Sequence, residues 1–279
     1  MILVRSGIVW LATVFLAAAS ASGHAASRPE SPPGLDEIIQ KAVACAQHSP
    51  SKERPARYTY TKASIIEQLD ATGHVKERKE KVYQVSFRDG LTYARLVEVD
   101  GHAPARADLK KQAENEVNVR QLLGQNTPAG DNRESFLTPE LVARFDFKLL
   151  DQDTINGRAA YRISFQPKIP GPPARHIVDR LLNRISGTLW IDAGEFEVAR
   201  AQIQLGSEVD FLGGVIGCLK KLAFTITRTR LADGVWLNSD SSGDFEGRKL
   251  LDFLRIKTKS QSTNFRPLAQ NSSGTQAAG

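Results

Sequence analysis

The 279-residue chain carries 37 Lys and Arg against 31 Asp and Glu, a net charge of +6, with 41 % hydrophobic residues. Because the basic residues alternate with acidic ones, they form no nucleic-acid-binding stripe, and the mild excess reads as a solvated face or a weak attraction to anionic envelope components. The apolar content suffices for a sizeable core.

Met1 to Arg5 holds one positive charge, Gly7 to Ala19 is an almost unbroken apolar run, and Ala19-Ser20-Ala21 or Gly23-His24-Ala25 offers the small-residue cleavage signature. The expectation is a secretory signal peptide over residues 1–26 and a periplasmic destination. No cysteine lies near either cut to accept a lipid, and the apolar run falls short of the roughly 20 residues of a spanning helix, so the mature chain is expected to hold no transmembrane segment. About 255 residues then remain, within the range of one large all-β domain. Residues 27–34 read as a disordered post-cleavage stretch ending at Pro32-Pro33-Gly34, 35–266 as a single domain, and 267–279, almost without apolar residues, as a disordered tail.

Past Gly34, the apolar residues Leu35, Ile38, Ile39, Ala42 and Cys45 recur at helical spacing and predict one amphipathic helix through Gln47. Strands follow. Turn signals at Asp70-Ala71-Thr72-Gly73, Asp89-Gly90, Asp100-Gly101, Asn156-Gly157, Asp192-Ala193-Gly194 and Asp233-Gly234 separate alternating segments. In those segments Tyr83, Val85 and Phe87, then Phe145, Phe147 and Leu149, then Tyr161, Ile163 and Phe165, then Leu222, Phe224 and Ile226 share faces, with Gln84, Lys148, Arg158 and Arg162 opposite. An antiparallel sheet with one wet side has this pattern.

Three further helices interrupt the strands. Ala105 to Gly124 reads as long and highly charged, with Leu109, Ala113 and Val117 on one edge. Thr138-Pro139-Glu140 is a helix start, with Thr138 as N-cap and Pro139 at the first helical position. Arg175 to Arg184 follows the breaker Pro170-Gly171-Pro172-Pro173 and presents Ile177, Leu181 and Leu182. Cys45 and Cys218 either pair, as an oxidising compartment allows, or remain two buried free thiols.

Markers of chemistry are missing. His48, His74, His102 and His176 stand in no metal-ligand pattern, and there is no Gly-x-Ser-x-Gly elbow, phosphate loop or Cys-x-x-Cys. The chain reads as a protein without metal, cofactor or enzymatic activity. Asp151 and Asp153 form a carboxylate pair at strand spacing, but they precede the Asn156-Gly157 turn, where solvated acids are common. Phe211 to Leu219, with Gly213 and Gly217, is too short to span a bilayer. It reads as a buried turn, a mobile apolar loop at a cavity mouth, or a surface that touches a membrane or partner.

Asn156-Gly157-Arg158-Ala159-Ala160-Tyr161-Arg162-Ile163, Gly187-Thr188-Leu189-Trp190-Ile191-Asp192, a return strand Phe196 to Leu205, and Asp233-Gly234-Val235-Trp236-Leu237 follow one another in an order that resembles the broad LolA-like group of outer-membrane lipoprotein-sorting proteins. The resemblance spans Leu35 to Phe265 and implies a mainly β fold with helices: a strongly curved antiparallel sheet, an incomplete β-barrel, with a helical lid over its concave face. Single-faced strands plus one amphipathic helix, which must bury their stripes together, agree with that shape. The resemblance further implies a hydrophobic hollow that takes acyl chains, lined by Tyr83, Val85, Phe87, Phe145, Phe147, Tyr161, Ile163, Phe165, Leu189, Ile191, Leu222, Phe224 and Ile226. Two functions are compatible with it: a periplasmic carrier of a lipid, acyl chain or lipoprotein, binding without covalent chemistry, or an envelope interaction or sensing module that docks a protein partner.

Overall fold

A computed structural model describes residues 33–48, 58–88, 91–123, 137–174, 177–211, 217–249 and 252–268. The expected leader and post-cleavage stretch up to residue 32, the tail past Leu268 and positions 212–216 of the glycine-rich stretch lie outside the described residues. Two compact units divide the chain, Met1–Pro33 and Gly34–Gly279, and every element below belongs to the second. In chain order these are α1 (Leu35–His48), β1 (Tyr58–Leu69), β2 (Val75–Arg88), β3 (Leu91–Val99), α2 (Arg106–Leu123), α3 (Pro139–Arg144), β4 (Phe145–Ile155), β5 (Arg158–Pro167), α4 (Ile177–Leu182), β6 (Ile185–Asp192), β7 (Val198–Leu205), β8 (Val209–Phe211), β9 (Gly217–Arg230), β10 (Trp236–Lys249) and β11 (Asp252–Pro267).

The strands make one antiparallel sheet in the order β3-β2-β1-β11-β10-β9-β7-β6-β5-β4, with β8 hydrogen-bonded to β9 beside that path. β3 and β4 do not meet, so the antiparallel sheet that the alternation predicts is not closed into a barrel, as the resemblance implies. Its register fixes which side chains share the helix-covered face. Ile163, Leu189, Ala201 and Ile226 oppose one another in turn across β5, β6, β7 and β9. The same row continues through Ser241, Ser260, Ser64 and Lys81 on β10, β11, β1 and β2. Lys148, Ser164, Thr188, Gln202 and Thr225 pair in register one position over and therefore stand on the other face.

The helix signals hold, with short ends. Thr138 caps α3, its hydroxyl accepting from the Leu141 N–H at 3.2 Å, and Pro139 opens the helix as its fixed φ suits. α4 covers Ile177–Leu182 and ends before the expected Arg184; Arg175 and His176 lie outside the described residues. α2 runs Arg106–Leu123 and ties itself to the edge strand through Gln112, whose side-chain amide donates to the Ala94 carbonyl at 3.0 Å.

One end of the sheet is held by a polar lock built from the turn motifs. Asp192, 1 % exposed, accepts from Arg158 Nε at 2.7 Å and Nη2 at 2.8 Å, and from the Gly194 and Glu195 N–H groups at 3.1 and 2.8 Å. Glu195 then accepts from Trp236 Nε1 at 2.7 Å and Arg230 Nε at 2.6 Å, while Glu197 takes the buried Arg228 at 2.7 Å. The Arg158 guanidinium lies 5.7 Å over the Trp236 ring, and the Asn156 amide donates to the Arg228 carbonyl. The Asn-Gly, Trp-Ile-Asp and Asp-Gly-Val-Trp turns thus meet at one place and serve as structure. Burial pushes the Asp192 carboxyl up, but the Arg158 hydrogen bonds, the turn N–H groups and the guanidinium charge outweigh it, leaving it below the ordinary carboxylate range. A depressed native value contributes stability that is present above the unfolded carboxyl's titration near about pH 4 and is lost as pH falls through the native one. Asp192→Ala is expected to cost roughly 2–3 kcal/mol by thermal or urea melts at neutral pH, and to remove the part of the acid-side loss that Asp192 causes in the wild type.

Candidate functional site: an apolar hollow between sheet and helices

α1 buries Ile38, Ile39 and Ala42, the i, i+1, i+4 stripe of its sequence, against the covered face of the sheet. The buried cluster they join contains Phe145, Tyr161, Ile163, Phe165, Ile185, Leu189, Ile191, Val198, Ala201 and Ile226. Leu141 and Val142 of α3 and Leu181 and Leu182 of α4 pack partly buried on its rim. Lys41 of α1 pairs with Glu37 at 2.7 Å and lies 4.9 Å over the Phe196 ring, holding the helix's outer face. The three rings of Phe145, Phe147 and Phe165 stand edge-on or tilted to one another at 5.2–6.5 Å.

Packing here is incomplete. A cavity of about 230 Å³ remains between α3, α4 and the sheet, lined by Leu137, Leu141, Phe145, Phe147, Phe165, Leu182, Ile185, Leu189, Ala201 and Ile203, all of them apolar. Next to Phe165, Gly187 allows a close approach: a Cβ there would come within 1.9 Å of the Gln202 carbonyl oxygen and 2.9 Å of the Phe165 ring. The missing side chain lets the phenyl ring lie down on the strand. A larger trough of about 600 Å³ lies on the opposite, polar face, where Ser164, Thr188, Gln202 and Thr225 are joined by Asp146 and Lys148. That face offers solvated hydroxyls and amides and no apolar enclosure.

The thirteen positions expected to line one hollow divide. Phe145, Tyr161, Ile163, Phe165, Leu189, Ile191 and Ile226 are buried in the α1 cluster, and Phe147 and Phe224 lean on it partly buried. Of these, Phe145, Phe147, Phe165 and Leu189 border the cavity itself. Tyr83 and Val85 belong to a second cluster with Tyr58, Tyr60, Val235 and Leu237, because the register sets Val85 opposite Tyr60 at the β1–β2 end of the sheet, several strands from the α1 cluster. Leu222 is half-buried; the side chain of Phe87 lies outside the described residues. Leu137, Leu141, Leu182, Ile185, Ala201 and Ile203 border the cavity without having been singled out, although Leu182 and Leu141 sat in visible helical signals.

The polar candidates go to structural tasks. Asp151 pairs with Arg162 at 2.5 Å, and Asp153 accepts from the Thr154 N–H at 2.7 Å and from Trp190 Nε1 at 3.0 Å. The Thr154 N–H first, then Trp190, hold the Asp153 carboxyl below its usual range, opposite to the raised value a general acid needs. His74 hydrogen-bonds Thr72 within its turn and His102 the Asp100 carbonyl. Cys45 and Cys218 form no disulfide with each other; the first is half-buried on α1 and the second buried on β9. Glu208, Asp210 and Cys218 bring one oxygen or sulfur atom each within 4.8 Å of one another, but both carboxylates are exposed to water. No helix among the described residues is long and apolar enough to cross a membrane.

No family model and no curated protein matches the chain. Among solved structures, it is similar to an outer membrane lipoprotein-sorting domain from Vibrio parahaemolyticus, at 11 % identity and TM-score 0.39 over 86 % of this chain and 93 % of that one. It is also similar to a LolA superfamily protein from Nitrosomonas europaea, at 11 % identity and TM-score 0.31 over 84 % and 93 %. A third is the Mycobacterium tuberculosis lipoprotein LppX, at 9 % identity and TM-score 0.28 over 85 % and 99 %. The first two bear the name of the group that the turn motifs resemble. At such identities and TM-scores the likeness is a broad one, and what this chain binds has to be argued from its own residues.

Gly187→Ala is expected to lower stability by about 1–3 kcal/mol, since β7 or the Phe165 ring must move to admit one methyl group; a urea melt measures it, and an unchanged midpoint would show that the close approach is relaxed at no cost.

Proposed function

We propose that the protein is a non-covalent carrier or binding protein for an acyl chain, alone or as part of a lipid or lipoprotein, held between the curved sheet and the helices and working in the periplasm to which its leader directs it. The observation that carries the reading is the cavity of about 230 Å³ whose ten lining side chains are all apolar. A face that needed only to be buried would close under its helices at the density of other protein interiors. The volume is below the roughly 300–1,000 Å³ of a typical ligand site, so it admits part of a chain. The short helices α3 and α4 border it and are the elements to displace for the remainder. Each methylene taken from water into such a space stabilises the complex by about 0.8 kcal/mol, so binding tightens with chain length. Neither acid/base pair nor nucleophile borders the cavity, which fits binding without bond chemistry.

Native mass spectrometry of the mature protein, with solvent extraction of bound material, is expected to reveal co-purifying lipid, and titration with fatty acids of increasing length a rising affinity. Ala201→Phe, which places a ring in the cavity, is expected to reduce uptake at least about tenfold, the loss of two or so buried methylenes, while the protein remains folded. A wild type that purifies empty and takes up no fatty acid would sink the proposal.

A further inference from the structure

We propose that Glu208, Asp210 and Cys218 form a binding site for a zinc-class divalent cation, a site that shares no residue with the apolar cavity. One oxygen from each carboxylate and the Cys218 sulfur all lie within 4.8 Å of one another. The strand pairing brings them together. β8 runs antiparallel to the start of β9, and the register sets Asp210 directly opposite Cys218, so their side chains leave the same face. Glu208 stands one residue before β8 and carries its carboxylate to the same place. Arg184 holds the backbone there, donating through Nη1 to the Glu208 carbonyl oxygen at 2.8 Å and to the Ser207 hydroxyl at 3.0 Å.

The thiol is the observation that points to a ligand. Cys218 is 4 % exposed and its side chain has no hydrogen-bond partner among the described residues, yet its sulfur is aimed at two carboxylates that water reaches. A cysteine serving only as a small apolar residue packs among apolar side chains; this one lies beside two acids. In tetrahedral coordination a Zn–S bond of about 2.3 Å and Zn–O bonds of about 2.1 Å set the donor atoms about 3.5 Å apart. The three atoms need to close by roughly 1 Å to meet that geometry, a movement within reach of rotating, exposed carboxylates. A sulfur donor selects zinc over calcium or magnesium, which take oxygen ligands. Water can complete the shell, because Ser207, Val209 and Asp210 border an open cavity of about 590 Å³. Three anionic donors around one divalent ion leave an excess of one negative charge. Arg248, the cross-strand neighbour of Cys218 on β10, and Arg180 and Arg184, which border the cavity, offset it.

Binding forms one metal–sulfur and two metal–oxygen bonds and releases the thiol proton to solvent, with nothing oxidised or reduced. No histidine takes part, so the ligand spacings that mark zinc sites in a sequence do not reveal this one. The bound ion ties β8, a strand of three residues beside the main path of the sheet, to the start of β9.

Calorimetric titration of the full mature protein with Zn²⁺, after chelator treatment and with its thiols kept reduced, tests this alongside a Co²⁺ titration followed by absorption. The wild type is expected to take up one Zn²⁺ per chain and, with Co²⁺, to show the near-ultraviolet charge-transfer band that a sulfur ligand gives. Asp210→Asn and Glu208→Gln change exposed side chains, so both variants are expected to melt like the metal-free wild type while binding Zn²⁺ at least about tenfold more weakly. Cys218→Ser is expected to abolish the Co²⁺ band and Cys45→Ser to keep it. A wild type that takes up no Zn²⁺ overturns the site, and so does uptake that Asp210→Asn and Glu208→Gln leave unchanged. A band that survives in Cys218→Ser overturns it as well, as does displacement of Zn²⁺ by millimolar Ca²⁺, the mark of a carboxylate site without the thiol.

Discussion

Register is the constraint on which the molecule depends. Each strand alternates its side chains with a period of two, so a slip of one residue anywhere would move a whole apolar set to water. Here the pairing runs from β3 to β4 without a closing contact, and bulges between Leu149 and Asp151, Trp190 and Ile191, and Glu246 and Gly247 absorb the mismatches. The polar lock around Asp192 sits beside the second of these bulges, where β6 and β7 would otherwise be free to shift. Its buried carboxylate has geometry for one arrangement of the turn, so it specifies the register more than it adds cohesion.

An unclosed sheet has two liabilities, its covered face and its edges. α1 answers the first, because three residues of its stripe find the apolar cluster whereas its acids and Lys41 stay outside. The edges are managed by different means. β3 has α2 anchored beside it through Gln112. β4 is mostly exposed and lined with Asp146, Lys148, Asp151 and Asp153, charges that discourage addition of another chain's strand. Leu149 is 36 % exposed although its alternation with Phe145 and Phe147 placed it inward. The bulge at that residue and its position on the edge strand explain the difference.

Where one face was greasy and the other wet, the fold was legible from the residues. β5 announced itself through Tyr161, Ile163 and Phe165, β9 through Phe224 and Ile226, and α1 through Ile38, Ile39 and Ala42; the Thr138-Pro139 start was found to the residue. The strands β10 and β11 gave no such signal. β11 alternates Thr258, Ser260 and Ser262 with Lys257, Lys259 and Gln261, so both faces read as polar and period-two hydrophobicity is absent. For the same reason the polar half of the covered face was invisible. Lys81 in a run of Lys, Glu and Arg looks like a solvated edge until the register places it opposite Ser64. The cavity was only partly legible as well, since Ala201 and Ile203 line it from β7 and Leu137 from the approach to α3, and no local pattern joins those segments.

Local rules are kept along most of this chain and broken in one region, which is informative because violations concentrate where function requires them. Stability alone would favour continuing the row of Ile163, Leu189, Ala201 and Ile226 with apolar residues across β10, β11, β1 and β2. Instead it turns to serine at three consecutive strands and ends on a buried lysine. Serine hydroxyls on a covered face can satisfy one another, as Ser64 and Ser260 do, and their oxygens can equally accept from an ammonium group beside them. The unfilled apolar space lies at the other end of that row, under α3 and α4, and an acyl chain bound there would fill it without disturbing the polar half.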